Sequence, residues 1–125
     1  MDLINEKVIL AYGLTGAEEE KFNDLLVKQN ILPCRIIEKN MGNVTIREVL
    51  RDIKKIEGNT ELPNEKLLIF SNFADKKLYE LIDDIRKIKS SDTILAAVTP
   101  TSINWTVSYL MQHLIAEREA YKKSK

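Results

Sequence analysis

The 125-residue chain has little of what builds disulfide, metal or phosphate sites: one cysteine, one histidine and four glycines. The lone Cys34 excludes an intramolecular disulfide, and no C-x-x-C pair is present for thioredoxin chemistry. His113 has no histidine or cysteine partner at a spacing that would bind zinc, so we interpret it as a surface or packing residue. The sequence therefore predicts neither a metal nor a cofactor.

Net charge and long apolar runs are also lacking. The 19 basic residues are balanced by 19 acidic ones, which argues against nucleic acid because phosphate binding needs an excess of positive charge. No apolar run approaches the roughly 18 residues of a membrane-spanning helix, and Met1–Lys7 does not resemble a signal peptide. We expect a cytoplasmic protein with no nucleic-acid or membrane partner. Its length predicts a single domain over residues 1–125.

Four short apolar runs predict β-strands, over residues 7–12, 34–38, 66–70 and 94–98. Three of them are apolar throughout, as in strands that are covered on both faces. The second follows Pro33 and contains Arg35 and Glu38, which is typical of an edge strand.

Amphipathic segments between and after these runs predict four helices. The first two start with capping boxes, at Thr15 with Glu18 and at Thr45 with Glu48. We expect the second helix to continue past Ile56 to a stop at Gly58. Asn72 is predicted to cap the third helix, and the fourth is predicted to follow the turn at 99–102, with Trp105 in its first turn.

The alternation of strands and helices, in which we detect no repeat, predicts an α/β fold. Burial is satisfied best by a four-stranded parallel sheet in the order 2-1-3-4, in a three-layer, flavodoxin-like or Rossmann-like arrangement. A ferredoxin-like or thioredoxin-like sheet is the structural alternative.

Ligands of such sheets bind beyond the carboxyl ends of the strands. There the sequence places residues that are uncharged and either polar or aromatic. These candidate binding residues are Tyr12, Asn72, Thr99, Thr101, Asn104, Trp105 and Tyr109. No acid, base or strong nucleophile is among them, so no catalytic residue is predicted.

Two phosphate chemistries fit the chain poorly. The turn Gly13–Gly16 leads into a helix, but it lacks the lysine and glycine spacing of a phosphate loop, and the carboxylates of Glu18, Glu19 and Glu20 would repel an anion. The carboxylate cluster of a phosphorelay receiver is also missing, because Tyr12–Gly13 and Ser71–Asn72 stand where the carboxylates would be needed.

Trp105 has two interpretations. It either seals the core over the turn at Thr99, or forms a recognition patch with Asn104 and Tyr109, since aromatic residues concentrate binding energy at interfaces.

The last forty residues resemble a family of uncharacterised bacterial proteins, a domain of unknown function. The matching residues are Thr99, Asn104, Trp105, Leu110, Leu114 and Glu117. The first strand, ending in Tyr12 and Gly13, fits the same family, so that the resemblance would cover nearly the whole chain. It implies a bacterial cytosolic protein and no assigned activity.

The leading functional hypothesis is a non-catalytic module that binds a protein partner or itself through the last helix and the turn before it. The alternative is a small-molecule binder or weak enzyme that uses an uncharged pocket at the carboxyl ends of the strands.

Overall fold

The computed structural model describes residues 7–52, 60–88 and 93–123, and the chain divides into two compact units. The first, which we call the sheet unit, contains residues up to Glu38 together with Asn64–Val98. The second, the helical unit, contains Lys39–Pro63 together with the residues from Thr99 onward. Each unit is therefore assembled from two separate stretches of the sequence.

The sheet unit contains a four-stranded sheet in the order β2-β1-β3-β4. Its strands are β1 (Val8–Tyr12), β2 (Arg35–Ile36), β3 (Leu67–Ser71) and β4 (Ile94–Ala97). Every residue of β1 and β3 is buried, and the short β2 lies at an edge. The predicted α/β class and strand order are thus confirmed.

The predicted strand directions are wrong at the centre of the sheet. β1 and β3 are antiparallel, with Val8 opposite Ser71 and Tyr12 opposite Leu67, while β2 is parallel to β1 and β4 to β3. The sheet is mixed, not the wholly parallel sheet of a flavodoxin-like or Rossmann-like fold. Apolar runs report that a strand is buried but not which way it points. Between β2 and β3 the chain passes through the helical unit, so alternation alone does not fix the direction of its return.

Two helices follow the central strands. Helix α1 (Gly16–Lys28) begins with the predicted capping box: the amide of Glu18 donates to Thr15 Oγ1 (3.2 Å) and the amide of Thr15 donates to Glu18 Oε1 (2.9 Å). Helix α3 (Asp75–Ile88) does not begin at the predicted cap. Asn72 lies three residues before it, with a φ of 67°, and the first turn closes on the carbonyl of Ala74.

The core of the sheet unit packs one face of the sheet against α1 and α3. β1 contributes Ile9 and Ala11, and β3 contributes Leu68 and Phe70. The buried helix residues are Phe22 and Leu26 of α1 and Leu81 and Ile85 of α3. Burial of such side chains is the main source of stability here, at about 1.5–3 kcal/mol for each large one.

The helical unit contains α2 (Ile46–Leu50), a 3₁₀ turn (Ser102–Asn104) and α4 (Val107–Lys123). The predicted capping box of Thr45 and Glu48 opens α2. The predicted continuation of this helix through Ile56 to Gly58 is wrong, because α2 ends at Leu50 with Arg51 as its C-cap and Asp52 at a φ of 59°. Ile56 and Gly58 themselves lie outside the described residues. Trp105 is not in the first turn of α4 but precedes the helix in an extended conformation, with φ −82° and ψ 150°.

The starts of α2 and α4 are joined by an antiparallel bridge between Thr45 and Thr106. The amide of Ile46 donates to the carbonyl of Trp105 (2.9 Å), and the amide of Val107 donates to the carbonyl of Val44 (2.8 Å). These reciprocal hydrogen bonds place the two helix starts side by side.

The structure also contains a structural repeat, whereas the sequence had indicated none. β1 and β3 begin 59 positions apart, at Val8 and Leu67, and so do α1 and α3. The residue after each strand, Gly13 and Asn72, has positive φ. In the helical unit the bridged threonines are 61 positions apart. The first and second halves of the chain therefore run through the same succession of elements.

The turn after β1 gives a test of this architecture. Gly13 has a φ of 81°, and a Cβ added there would collide with the carbonyl oxygen of Glu65. We expect Gly13→Ala to lower the free energy of unfolding by roughly 2 kcal/mol or more, because it combines backbone strain with a clash against main chain. The measurement is chemical denaturation followed by circular dichroism.

Gly16→Ala is the matched control, since nothing lies within 4 Å of the added Cβ. It should leave stability unchanged or raise it by up to about 1 kcal/mol. Equal effects at the two glycines would contradict the turn geometry.

Candidate interaction surface

The antiparallel pairing separates two of the predicted binding residues. Tyr12 ends β1 opposite Leu67, at the end of the strand pair where β3 begins. Asn72 follows Ser71, which lies opposite Val8 at the other end. Tyr12 is also buried, whereas Asn72 is exposed. The predicted parallel sheet would have brought these two residues to a common edge, where they could line one pocket. The antiparallel pairing instead places them at opposite ends of the strand pair.

Thr99 and Thr101 lie in the turn that leads into the 3₁₀ helix. Thr99 is held by the buried Ser102: its amide donates to Ser102 Oγ (2.9 Å), and the amide of Ser102 donates to Thr99 Oγ1 (2.9 Å). Thr101 is exposed and its side chain makes no capping hydrogen bond. The hydroxyl of Thr99 is thus used to fix the turn.

Asn104 links this turn to α2. Its Oδ1 accepts hydrogen bonds from Arg47 Nε (3.3 Å) and Nη2 (3.1 Å). The contact is exposed, so it contributes little to stability but orients both side chains.

Trp105 and Tyr109 form the centre of an aromatic cluster along α4. The ring centroids of Trp105 and Tyr109 are 4.8 Å apart and those of Trp105 and His113 are 5.2 Å apart, both in edge-to-face geometry. His113 Nε2 lies 2.9 Å from Glu117 Oε1. We call these four residues, Trp105, Tyr109, His113 and Glu117, the α4 aromatic surface.

This surface is open to solvent. Tyr109 is 53% exposed, His113 and Glu117 are exposed, and Trp105 is half-buried. Trp105 is therefore only partly a core residue, and its ring also packs against side chains that face water. The spacing of four residues brings Tyr109, His113 and Glu117 onto one side of α4. Trp105 lies next to them from the extended segment before the helix.

The first half of the chain provides an internal comparison for this surface. The positions 61 residues before Trp105, Tyr109 and His113 are Val44, Glu48 and Asp52. Val44 is 2% exposed, and Glu48 completes a capping box that Tyr109 cannot form. A capped helix start thus forms at Thr45 without aromatic rings at the positions that correspond to Trp105 and Tyr109. Asp52 lies beyond the end of α2, whereas His113 lies within α4.

Among the described residues no group of histidine, cysteine and carboxylate side chains could hold a metal ion. No helix within the described ranges is both long and apolar enough to cross a membrane.

Part of the chain is similar to a family of uncharacterised domains. Residues 66–121 match the family model described as Domain of unknown function (DUF3783). The match includes Thr99, Asn104 and Trp105, and it leaves out the first strand, which had also been expected to fit the family. No curated protein and no solved structure matches the chain.

Three residues of the site were not among the predicted binding residues: His113, Glu117 and Arg47. The signal for the first two was the spacing of four residues that continues from Trp105 and Tyr109. The contact of Arg47 with Asn104 joins residues 57 positions apart, and no local pattern indicates it.

A double-mutant cycle on Trp105 and Tyr109 tests the cluster. We expect Trp105→Leu and Tyr109→Ala to be coupled by about 0.5–1.5 kcal/mol in unfolding free energy, because each removes the same edge-to-face contact. Tyr121 is the control, as an exposed tyrosine of the same helix twelve residues beyond Tyr109. Trp105→Leu and Tyr121→Ala should be additive within about 0.5 kcal/mol. Equal coupling in the two cycles would contradict the proposed packing.

Proposed function

We propose that the protein is a non-catalytic interaction module, and that the α4 aromatic surface binds a protein partner or a second copy of the chain. The observation that carries this proposal is the cluster formed by the exposed Tyr109 and His113 around the half-buried Trp105. Aromatic side chains bury a large area at low entropic cost, and they are enriched among residues that dominate binding energy.

The helix start gives the proposal independent support. Thr106 Oγ1 accepts from the amide of Tyr109 (3.1 Å), as Thr45 Oγ1 accepts from the amide of Glu48 (3.1 Å). Of these two helix starts, only the one at Thr45 has the second hydrogen bond of a capping box, which the amide of Thr45 donates to Glu48 Oε1. With a tyrosine at position 109, α4 lacks this second capping hydrogen bond, which would stabilise the helix start by about 0.5–1 kcal/mol. A role of the tyrosine ring in binding would account for this loss.

The alternative, a small-molecule site at the ends of the strands, has less support. It relied on bringing Tyr12 and Asn72 to one edge, and the antiparallel pairing places them at opposite ends. The hydroxyl of Thr99 is already engaged with Ser102.

Site-specific photo-crosslinking tests the proposed surface. A benzophenone amino acid placed at Tyr109 should give a covalent product in cells, and mass spectrometry should identify that product as a second copy or as another protein. The same group at Tyr79, which is 68% exposed in α3, is the matched control. No product at 109 beyond that at 79, together with a monomer at every concentration in sedimentation, would exclude the proposal.

The substitution Tyr109→Glu should separate stability from binding. Restoring the capping box offsets the loss of the ring contact, so the free energy of unfolding should change by less than about 1 kcal/mol. Association should nevertheless weaken at least tenfold, because a charge replaces a central aromatic residue.

Glu48→Tyr is the reciprocal control. It should cost about 0.5–1 kcal/mol of stability through the lost capping box of α2 and leave association unchanged. If Tyr109→Glu associated as tightly as the unaltered protein, the α4 aromatic surface would not be the binding surface.

A further inference from the structure

Corresponding residues of the two halves occupy equivalent structural positions in the sheet unit. Phe22 and Leu26 of α1 are buried, and the residues 59 positions later, Leu81 and Ile85 of α3, are buried in the same core. After the helices the separation becomes 61, because the second half has two extra residues before its last strand. The amide of Ile37 donates to the carbonyl of Ala11 (2.8 Å), and the amide of Val98 donates to that of Phe70 (2.9 Å).

The pairing between the halves has the form of a homodimer interface. In the sheet unit Leu10 is opposite Ile69, the residue 59 positions later. In the helical unit Thr45 is opposite Thr106, the residue 61 positions later. A residue that faces its own counterpart across an antiparallel pair is the signature of a two-fold axis.

The family match ends where one half ends. It covers residues 66–121, which begin just before β3 and run to the last turns of α4. The corresponding stretch of the first half is residues 7–60. Both stretches contain the pattern Asn-x-Thr followed by Ile or Val, at Asn43–Ile46 and at Asn104–Val107.

We infer that residues 7–60 are a second, diverged copy of the domain at 66–121, and that the interaction surface of each copy binds the other. The chain is a covalently linked dimer of one domain. In the sheet unit the paired elements are the central strands, β1 and β3. In the helical unit they are the segments around the bridged threonines. The partner of each copy is a further copy of the same domain, here supplied by the same chain.

Pairing is needed because one copy alone leaves its central strand half-paired. β1 would have only the two-residue β2 beside it, and a two-stranded sheet is at best marginally stable in water. Its other edge would expose unpaired backbone groups on a strand whose five residues are all apolar or aromatic. Antiparallel pairing of β1 with β3 covers both open edges at once.

Cleavage between the copies tests the pairing in the full chain. A protease recognition sequence can be inserted between Pro63 and Asn64, which are both exposed. After cleavage of the folded protein, we expect the two fragments to remain a 1:1 complex that elutes with the uncut chain and keeps its circular dichroism. If the fragments separate and either one remains folded by itself, the inferred pairing is wrong.

A second variant tests the equivalence of the copies. In a full-length chain residues 7–60 are replaced by the sequence of 66–121. We expect a folded monomer in which the backbone amide signals of equivalent positions nearly coincide in NMR spectra, as two-fold symmetry requires. A folded chain with two clearly different sets of signals would show that the halves are not copies of one domain, even if the cleaved fragments stay together.

Discussion

The antiparallel pairing of β1 with β3 is the contact on which the sheet unit depends. It joins two strand–helix–strand segments into one four-stranded sheet and places Leu10 opposite Ile69 at its centre. Among the described residues, β1 has only the two-residue β2 as another strand partner, whereas β3 also pairs with the four residues of β4. Closing this one ladder turns two marginal strand pairs into a sheet with a continuous apolar face.

The correspondence between the two halves also bears on the α4 aromatic surface. Two equivalent helix starts, at Thr45 and Thr106, are held together by reciprocal backbone hydrogen bonds. One carries Val44 and Glu48, residues that serve burial and capping. The other carries Trp105 and Tyr109, which leave a capping bond unmade and an aromatic face in water. Two copies that began alike would have divided their roles, with one kept for stability and the other adapted for binding.

Features that depend on neighbouring residues could be predicted from the sequence. The capping boxes at Thr15 and Thr45 are local, and the position of the second strand at an edge followed from Arg35 and Glu38. The neighbouring positions of Trp105 and Tyr109 followed from their spacing of four residues, although Trp105 precedes α4.

Features that depend on distant pairing could not be predicted. Strand direction leaves no mark in an apolar run, so the expected grouping of Tyr12 with Asn72 failed. The repeat is not visible in the sequence, because the two halves have few identical residues. What they have in common is the pattern of buried positions and the backbone conformation, as at Gly13 and Asn72.

The division of each compact unit between two distant stretches of sequence has a consequence for synthesis. Every contact between β1 and β3, and the bridge at Thr106, waits for residues that leave the ribosome about sixty positions after their partners. Such non-local pairing slows folding, because the chain must close a long loop before any of these contacts forms. During that delay the apolar β1 has no antiparallel neighbour, and an unpaired apolar strand is prone to aggregate. The sheet unit is therefore completed only after the second half of the chain has been made.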